Sequence, residues 1–342
     1  MTNSKPDVET KTVEDSEHFD MILRLKNFKK YFPVKSGILQ RTTGYLKAVD
    51  NISLDVRKGE TIGIVGESGC GKSTLARSII RLYEPTDGDI IYKETNISKL
   101  PESKLRPLIR RNIQMIFQDP FASLNPRKTL GNILEEPYKV HNIYNKKERT
   151  EEIKSLLNRV GLNESFINRY PHEFSGGQRQ RIAIARTLTT QPELIIADEP
   201  VSALDVSIQA QIINLLESLQ EEFNLTFVFI SHDLSVVRHI ADRVGVMYLG
   251  KLMELSPKNE LYEEPLHPYT QSLISAIPKI RKSHEPKRER IILKGEIPNP
   301  ENPPKGCIFH TRCPMAFDKC FQVEPEFIEH EKDRFVACHL YQ

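Results

Sequence analysis

The feature that most constrains this chain is a glycine-rich segment at residues 66–74, with the sequence GESGCGKST. It satisfies the phosphate-loop pattern G-x-x-x-x-G-K-[ST]. Residues 60–65 before it have a strand-like pattern, and the spacing of apolar residues in 73–83 predicts a helix. A strand, a glycine turn and a helix form half of a parallel α/β unit. We therefore predict an α/β fold that binds the phosphates of a nucleotide at this turn.

Each residue type in this loop has a chemical reason to bind phosphate. Glycines let the backbone wrap closely around phosphate oxygens, so that successive N–H groups point inward as donors. Lys72 would bridge the β- and γ-phosphates, and the Ser73 hydroxyl would bind Mg²⁺ at the helix N-terminus. Cys70 would be a small loop filler. The predicted nucleotide-binding residues of the loop are Gly66, Ser68, Gly69, Cys70, Gly71, Lys72, Ser73 and Thr74.

A second motif places acidic residues at the end of a buried strand. Residues 194–197 are apolar throughout, and Asp198 and Glu199 follow directly. Open α/β folds bind ligands at the carboxyl edge of the sheet, so both carboxylates are predicted to face the nucleotide. Asp198 would hold the magnesium shell, and Glu199 would act as general base on the attacking water. Together the two motifs predict hydrolysis of a nucleoside triphosphate.

A third motif indicates which kind of hydrolase this is. Ser175, Gly176, Gly177 and Gln178 precede a helical stretch and would leave N–H groups open to an anion. With this motif the sequence resembles the ABC-transporter ATPase family, over residues 23 to about 250. The family's motifs stand here in order: the phosphate loop, Gln118 in FQDP, the signature SGGQ, Asp198-Glu199, Asp205 in SALD, and His232 in ISHD.

The resemblance implies roles for residues outside the first two motifs. Gln118 would contact Mg²⁺ and the attacking water, and His232 would contact the γ-phosphate, so that both join Glu199 as catalytic residues. The signature would cover the nucleotide held by the opposite subunit, with Asp205 at the dimer seam. Since the sequence carries one complete motif set, a second chain must supply the other half.

An aromatic residue that stacks on adenine is also implied by the family. Tyr31 falls at the matching place. An insertion at 33–45 interrupts the alignment, so Phe32 and Tyr45 are the alternatives.

Two later stretches narrow the resemblance to peptide importers. EPLHPYT at 264–270 and GCIFHTRCP at 306–314 resemble the C-terminal extension of ATPases from oligopeptide and dipeptide permeases. Residues 30–37 and 118–127 resemble the F-type subunit, which pairs with a related D-type ATPase as a heterodimer. The implied partners are that ATPase, two integral membrane permease subunits and, indirectly, a peptide-binding protein.

Other functions remain as alternatives at this point. A related importer of nickel complexes or other small solutes is the first. An ABC ATPase without a membrane partner is the second, although such proteins carry fused ATPase domains or long coiled-coil insertions, and neither is visible in this sequence.

Composition limits the remaining classes of function. The formal charge is +2, from 48 Lys and Arg against 46 Asp and Glu, which gives no reason to expect a nucleic-acid partner. No apolar run approaches the ~20 residues that span a bilayer, and the N-terminus lacks the apolar core of a signal peptide. We expect a peripheral protein on the cytoplasmic face of the cell membrane.

The predicted organisation has three regions. Residues 1–20 would be a disordered acidic tail, and 261–342 a small cysteine-rich C-terminal extension. Residues 21–260 would form the P-loop NTPase domain of ABC type, a mixed sheet core with a helical signature subdomain at about 106–190. A basic stretch at 279–290 and four prolines at 298–304 predict an extended linker within the extension.

Four cysteines in the extension predict a metal site. Their spacing is C-x5-C-x6-C-x17-C, without the C-x2-C pairs usual in structural zinc sites. Thiolate ligands suit zinc or an iron–sulfur cluster, and some permease ATPases of the resembled family carry a 4Fe-4S cluster here. We therefore expect a 4Fe-4S cluster, with Zn²⁺ as the alternative. The predicted ligands are Cys307, Cys313, Cys320 and Cys338.

Overall fold

The computed structural model describes residues 20–36, 41–278 and 290–342. The predicted acidic tail and basic linker lie outside these ranges, apart from Asp20 and Arg290.

Strands and helices alternate through the first two thirds of the chain. The strands are β1 (Met21–Ser36), β2 (Arg41–Arg57), β3 (Thr61–Val65), β4 (Asp87–Tyr92), β5 (Thr95–Asn96), β6 (Ile113–Ile116), β7 (Leu194–Asp198), β8 (Thr226–Ile230), β9 (Arg243–Tyr248), β10 (Lys251–Pro257), β11 (Ile328–Glu331) and β12 (Arg334–Val336). The α-helices are α1 (Lys72–Ile79), α2 (Glu102–Leu108), α3 (Pro120–Ser123), α4 (Leu130–Val140), α5 (Lys146–Arg159), α6 (Gly176–Leu188), α7 (Val206–Phe223), α8 (Leu234–Ile240), α9 (Lys258–Glu263), α10 (Pro268–Ser275) and α11 (Asp318–Gln322).

The larger of the two sheets in the described ranges is mixed, and its strand order is β11-β12-β10-β9-β3-β8-β7-β6. The strands from β9 to β6 pair in parallel, and β10, β12 and β11 continue the sheet antiparallel. Every residue of β3, β7 and β8 is buried, as expected for parallel strands covered on both faces. This confirms the predicted mixed sheet.

The C-terminal extension is continuous with this sheet. Glu254 of β10 pairs with Val336 of β12, and Ile328 of β11 pairs with the same valine. The extension therefore completes one edge of the ATP-binding core through backbone hydrogen bonds.

A second, antiparallel sheet has the order β2-β1-β4-β5. Its inner face and α1 share one hydrophobic core with one side of the large sheet, where Ile62 and Ile64 of β3 meet Leu75 and Ile79 of α1. The other side of the large sheet packs against α4 to α8 and the extension. Helix α1 is thus enclosed between two sheets, which fixes the phosphate loop at its N-terminus.

The middle region contains one strand that the sequence did not predict. Residues 106–190 hold α3 to α6 as expected, but β6 lies among them and pairs with β7. A short apolar run cannot be assigned to strand or helix by periodicity alone, so only the pairing decides it. Gly161, with φ +69°, follows the end of α5, where a left-handed glycine commonly ends a helix.

A buried ion pair joins Glu60, directly before β3, to Arg243, the first residue of β9. Nη1 of Arg243 lies 3.2 Å from Oε1 of Glu60, and both side chains are less than a tenth exposed. Burial raises the pKa of Glu60, and the Arg243 guanidinium opposes that shift. The Glu60 carboxylate also accepts the Arg57 N–H at 2.6 Å.

Replacing Arg243 by alanine should lower the free energy of unfolding by about 3–5 kcal/mol, because it leaves a buried carboxylate without its cation. Urea unfolding followed by circular dichroism measures this loss. Arg24→Ala is the control, since Arg24 lies 3.7 Å from Asp55 with both side chains about half exposed, and it should cost less than about 1 kcal/mol. Equal losses in the two variants would contradict the prediction.

Candidate nucleotide-binding site

The phosphate loop connects β3 to α1 and lies against backbone on both sides. Gly66 and Gly71 have φ of +153° and +108°. A Cβ on Gly71 would lie 2.0 Å from the Ala48 carbonyl oxygen, and one on Gly66 would lie 2.2 Å from that of Met247. Only glycine combines these dihedral angles with such close approach.

Lys72 is buried within this loop. Its ammonium donates to the carbonyl oxygens of Gly66 at 2.7 Å and Glu67 at 3.0 Å. It also lies 3.9 Å from the Cys70 sulfur, and burial raises the pKa of that thiol. The lysine is therefore held by the loop that would bind the phosphates.

Ser73 and Asp198 form the predicted magnesium pair. The Ser73 hydroxyl donates to Oδ1 of Asp198 at 2.8 Å. Asp198 is fully buried, burial raises its pKa, and its Oδ2 has no hydrogen-bond partner. Nη2 of Arg77 lies 4.0 Å from this oxygen. A hydroxyl beside a buried carboxylate whose second oxygen accepts no hydrogen bond is a donor set that fits Mg²⁺, which prefers oxygen ligands.

Three side chains from three consecutive strand ends meet beside this pair. Oε2 of Glu199 lies 3.1 Å from Nδ1 of His232 and accepts from Nε2 of Gln118 at 3.3 Å. Glu199 has φ +48°, and its N–H donates to the Ile230 carbonyl oxygen at 3.0 Å. A non-glycine residue in the left-handed region carries backbone strain, which is typical of functional sites.

These groups line an open cavity of ≈ 540 Å³. The sequence analysis identified ten of its 16 lining residues, including Phe32 as an alternative. The residues that no motif indicated are Leu46, Lys47 and Ala48 of β2, Leu249 and Gly250 after β9, and Pro300 of the extension. They reach the cavity through pairing of distant strands, for which the local sequence gives no signal. Gly66, Cys70 and Asp198 lie outside the lining.

The predicted stacking residue, Tyr31, does not line the cavity, whereas Phe32 does. Successive side chains of a strand point to opposite faces. The Tyr31 hydroxyl donates to the Asp50 carboxylate, and burial together with this bond raises the Tyr31 pKa. Tyr45 is exposed and also lies outside the lining. The structure thus favours Phe32 over Tyr31.

The signature residues form the N-terminus of α6. The Ser175 hydroxyl accepts the Gln178 N–H at 3.3 Å, and the Gln178 side-chain oxygen accepts the Ser175 N–H at 3.0 Å. This reciprocal pair is a capping box. None of the four signature residues lines the cavity of its own phosphate loop.

Gly176 and Gly177 pack closely against the start of α7. A Cβ on Gly177 would lie 2.6 Å from Ile208, and one on Gly176 would lie 3.5 Å from Leu204. Asp205 is the N-cap residue of α7, yet its exposed carboxylate makes no capping hydrogen bond. The signature and Asp205 therefore lie on adjacent helix ends.

The four cysteines of the extension lie close enough for their charges to interact. All are free, and the Cys307 N–H donates to the Cys320 carbonyl oxygen at 2.9 Å. Burial raises the pKa of Cys307 to about 12 and that of Cys338 to about 11. The sulfurs of Cys307, Cys313 and Cys338 accept the N–H groups of Phe309, Met315 and Leu340, respectively.

Such N–H donors stabilise thiolates at metal sites, and an all-cysteine donor set suits soft metals. Within the described ranges, however, no three His, Cys, Asp or Glu side chains are arranged to hold a metal ion. The 4Fe-4S cluster and its zinc alternative therefore stay predictions.

None of the helices in the described part of the chain combines the length and the apolar character needed to cross a membrane.

Two protein families match this chain, one within residues 21–260 and one mostly within the C-terminal extension. The family described as "ABC transporter" matches residues 49–202, and the one described as "Oligopeptide/dipeptide transporter, C-terminal region" matches residues 253–320. The second match covers three of the four clustered cysteines, Cys307, Cys313 and Cys320.

Similar proteins carry related names. The oligopeptide transport ATP-binding protein AppF of Bacillus subtilis is 67% identical over 94% of this chain and 98% of its own length. The dipeptide transport ATP-binding protein DppF of Haemophilus influenzae is 50% identical over 93% of this chain and 96% of its own. A solved dimeric structure of the ATP-binding cassette MJ0796, in a post-hydrolysis state with ADP and Pi, is 32% identical with a TM-score of 0.62. The match covers 69% of this chain and 98% of the solved chain.

Phosphate loop, carboxylate strand and signature thus occur on a matching fold, with relatives of nearly equal length and high identity. The chain belongs to the ABC-transporter ATPases, in the group of oligopeptide and dipeptide transport ATP-binding proteins.

Proposed function

We propose that this protein is the ATP-hydrolysing subunit of a peptide importer, bound peripherally at the cytoplasmic face of the membrane. The observation that carries the ATPase part is the convergence of Gln118, Glu199 and His232 on one cavity with the phosphate loop. The peptide substrate is supported by the names of the relatives, which favour it over nickel complexes or other solutes.

The predicted residues at this cavity, together with Asp198 beside it, would each have a role in hydrolysis. Ser73 and Asp198 would hold Mg²⁺, which when bound neutralises charge on the β- and γ-phosphates. The Lys72 ammonium exchanges loop carbonyls for phosphate oxygens. Both neighbours of Glu199 contact Oε2, so Oε1 is left to accept the proton of the attacking water. Phe32 would stack on the adenine ring.

Hydrolysis requires a second subunit in this proposal. The signature residues lie away from the phosphate loop of their own chain, and they would cover the γ-phosphate held by the partner. The F-type character of residues 30–37 and 118–127 favours a D-type ATPase as that partner. Full peptide uptake by two copies of this chain, without a second ATPase, would contradict the heterodimer.

An apolar groove offers a docking place for the permease. A cavity of ≈ 480 Å³ lies between β6 and the helices α4 and α6, and Leu82, Phe117 and Val140 line it. Leu82 and Val140 are each about half exposed, as is Phe121 of α3, which does not line the cavity but shares its short helix with the lining residue Ser123. Leu124, which follows this helix, is buried in the core and so would not contact the permease. A cytoplasmic helix of the permease would cover the exposed apolar side chains.

The cysteine cluster would hold a 4Fe-4S cluster as a structural group of the extension. Four mutually close thiols and three N–H···S bonds support this proposal. Metal ligation would add folding energy to the extension beyond its packing against the core.

Glu199→Gln should reduce ATP turnover by roughly 10²–10⁴, the usual scale for loss of a general base. ATP binding should survive, because the amide keeps the shape and hydrogen bonds of the carboxylate. Lys72→Ala should instead abolish tight nucleotide binding. Phosphate release and equilibrium binding of Mg-ATP measure the two effects separately.

Glu217→Gln serves as the control for this experiment. Glu217 lies on α7, where its carboxylate is 3.6 Å from His239 and outside the cavity. The ATP turnover of the Glu217→Gln variant should equal that of the parent chain. Parental turnover in Glu199→Gln would refute the assignment of the base.

Phe121→Asp should reduce peptide uptake roughly tenfold or more while leaving ATP hydrolysis by the assembly of both ATPases intact. A charge in the docking surface removes an apolar contact of about 1.5–3 kcal/mol and must be desolvated. Uptake and hydrolysis are measured in vesicles containing the permease subunits.

Phe223→Asp is a matched control. Both rings lie beside an arginine, Arg179 at 5.3 Å from the Phe121 centroid and Arg159 at 5.0 Å from that of Phe223. Phe223 ends α7, away from the groove, so its variant should transport normally. Equal losses in the two variants would count against docking at Phe121.

Anaerobic purification should give a brown protein with about four irons per chain, the content of one such cluster. Cys320→Ser should lose iron and absorbance, whereas Cys70→Ser, at the phosphate loop, should keep both. A colourless protein with a single zinc would contradict the iron–sulfur assignment and support the alternative.

A further inference from the structure

A residue of the phosphate loop is bound by the C-terminal extension. Glu67, the second residue of the loop, forms a bidentate ion pair with Arg312. Nη1 donates to Oε2 at 2.7 Å and Nη2 donates to Oε1 at 3.0 Å. The Arg312 side chain is 9% exposed and that of Glu67 25% exposed. Paired, partly buried guanidinium–carboxylate contacts of this kind are strong and geometrically specific.

The backbone of Glu67 is bound by the extension as well. Its N–H donates to the hydroxyl oxygen of Tyr269 at 3.0 Å. Tyr269 is fully buried, with its ring 4.9 Å from Tyr248 and 5.3 Å from Phe309. These close aromatic contacts hold the hydroxyl at a fixed place.

One short segment supplies both the ion pair and part of this aromatic cluster. Phe309 and Arg312 lie between Cys307 and Cys313, and the Arg312 N–H donates to the Phe309 carbonyl oxygen at 3.0 Å. The cysteine-bounded segment is therefore in direct contact with the phosphate loop.

Glu67 in turn holds the residues that would meet ATP. Its carbonyl oxygen accepts from the Lys72 ammonium at 3.0 Å and from the Cys70 N–H at 3.3 Å. A displacement of Glu67 would move the lysine and the loop amides together. The position of the extension is thus transmitted to the phosphate-binding groups through one residue.

We propose that Arg312 and Tyr269 are positioning residues for ATP, which hold the phosphate loop in its binding conformation through Glu67. A loop fixed in advance loses less conformational entropy when the nucleotide binds. The Arg312 guanidinium also neutralises a carboxylate that would otherwise repel the triphosphate. The inference rests on ATP binding at the phosphate loop and is independent of the transported solute and of any metal at the cysteines.

The test compares Mg-ATP binding by the full chain and its variants, all carrying Glu199→Gln so that bound ATP persists. Arg312→Ala should weaken the Kd roughly tenfold or more, the scale of a lost charge-assisted contact. Arg312→Lys, which keeps the charge but not the fork, should show a smaller loss. In the parent background, KM for ATP should rise more than kcat falls.

A double variant separates the charge effect from a general loss of structure. Arg312→Ala leaves the Glu67 carboxylate unpaired beside the phosphates, and adding Glu67→Gln removes that charge. The double variant should therefore bind ATP more tightly than Arg312→Ala alone.

Arg334→Ala is the matched control within the extension. The Arg334 side chain is 8% exposed and pairs with Glu331 at 2.6 Å, without contact to the phosphate loop. It should leave the Kd for ATP unchanged even where it lowers the melting temperature.

Three results would overturn the proposal: unchanged ATP binding in Arg312→Ala, an equal loss in Arg334→Ala, or full recovery in the double variant, which would leave charge and not loop position as the cause. Failure of the Glu199→Gln chain itself to bind Mg-ATP would instead contradict the proposed function. The two failures are therefore distinguishable.

Discussion

Parallel pairing of β6, β7, β8 and β3 is the constraint on which the site depends. Ile116 pairs with Ala197, Asp198 with Ile230, and Ile64 with Ile230. This register brings the four strand ends to one edge of the sheet. Gln118, Glu199, His232 and the phosphate loop each follow one of these strands, so the predicted catalytic groups meet although they are far apart in the chain. A shift of one residue in any pairing would turn its side chains to the opposite face.

The conformation of the phosphate loop is also restricted by the backbone segments that pack against it. The β2 backbone and the end of β9 approach two of its glycines more closely than any side chain would permit. The extension contacts the loop from a third side. Arg312 forms an ion pair with the Glu67 carboxylate, and the Tyr269 hydroxyl accepts a hydrogen bond from the Glu67 N–H. Because the extension also continues the central sheet through β12, it is tied to the ATP site both by the sheet and by direct contact.

One chain holds the residues proposed to bind ATP and activate water, while its signature does not line its own cavity. The capping box at Ser175 and the close packing of Gly177 on Ile208 fix the conformation of that signature within the chain itself. In the proposed dimer, the same helix end would serve as a preformed surface for a partner's nucleotide.

The sequence by itself determined the parts of the site that lie within one short segment. The phosphate loop, Asp198 with Glu199, and the order of Gln118, signature and His232 depend on local residue types next to apolar strands. The tertiary structure alone decided that Phe32 and not Tyr31 reaches the cavity, because the outcome depends on which face of β1 is turned inward. It alone revealed β6 as a strand, since a short apolar run becomes a strand only by pairing. It also decided the contact between Glu67 and Arg312, which are 245 residues apart. Such a contact arises from folding of the whole chain, and no local pattern of side chains encodes it.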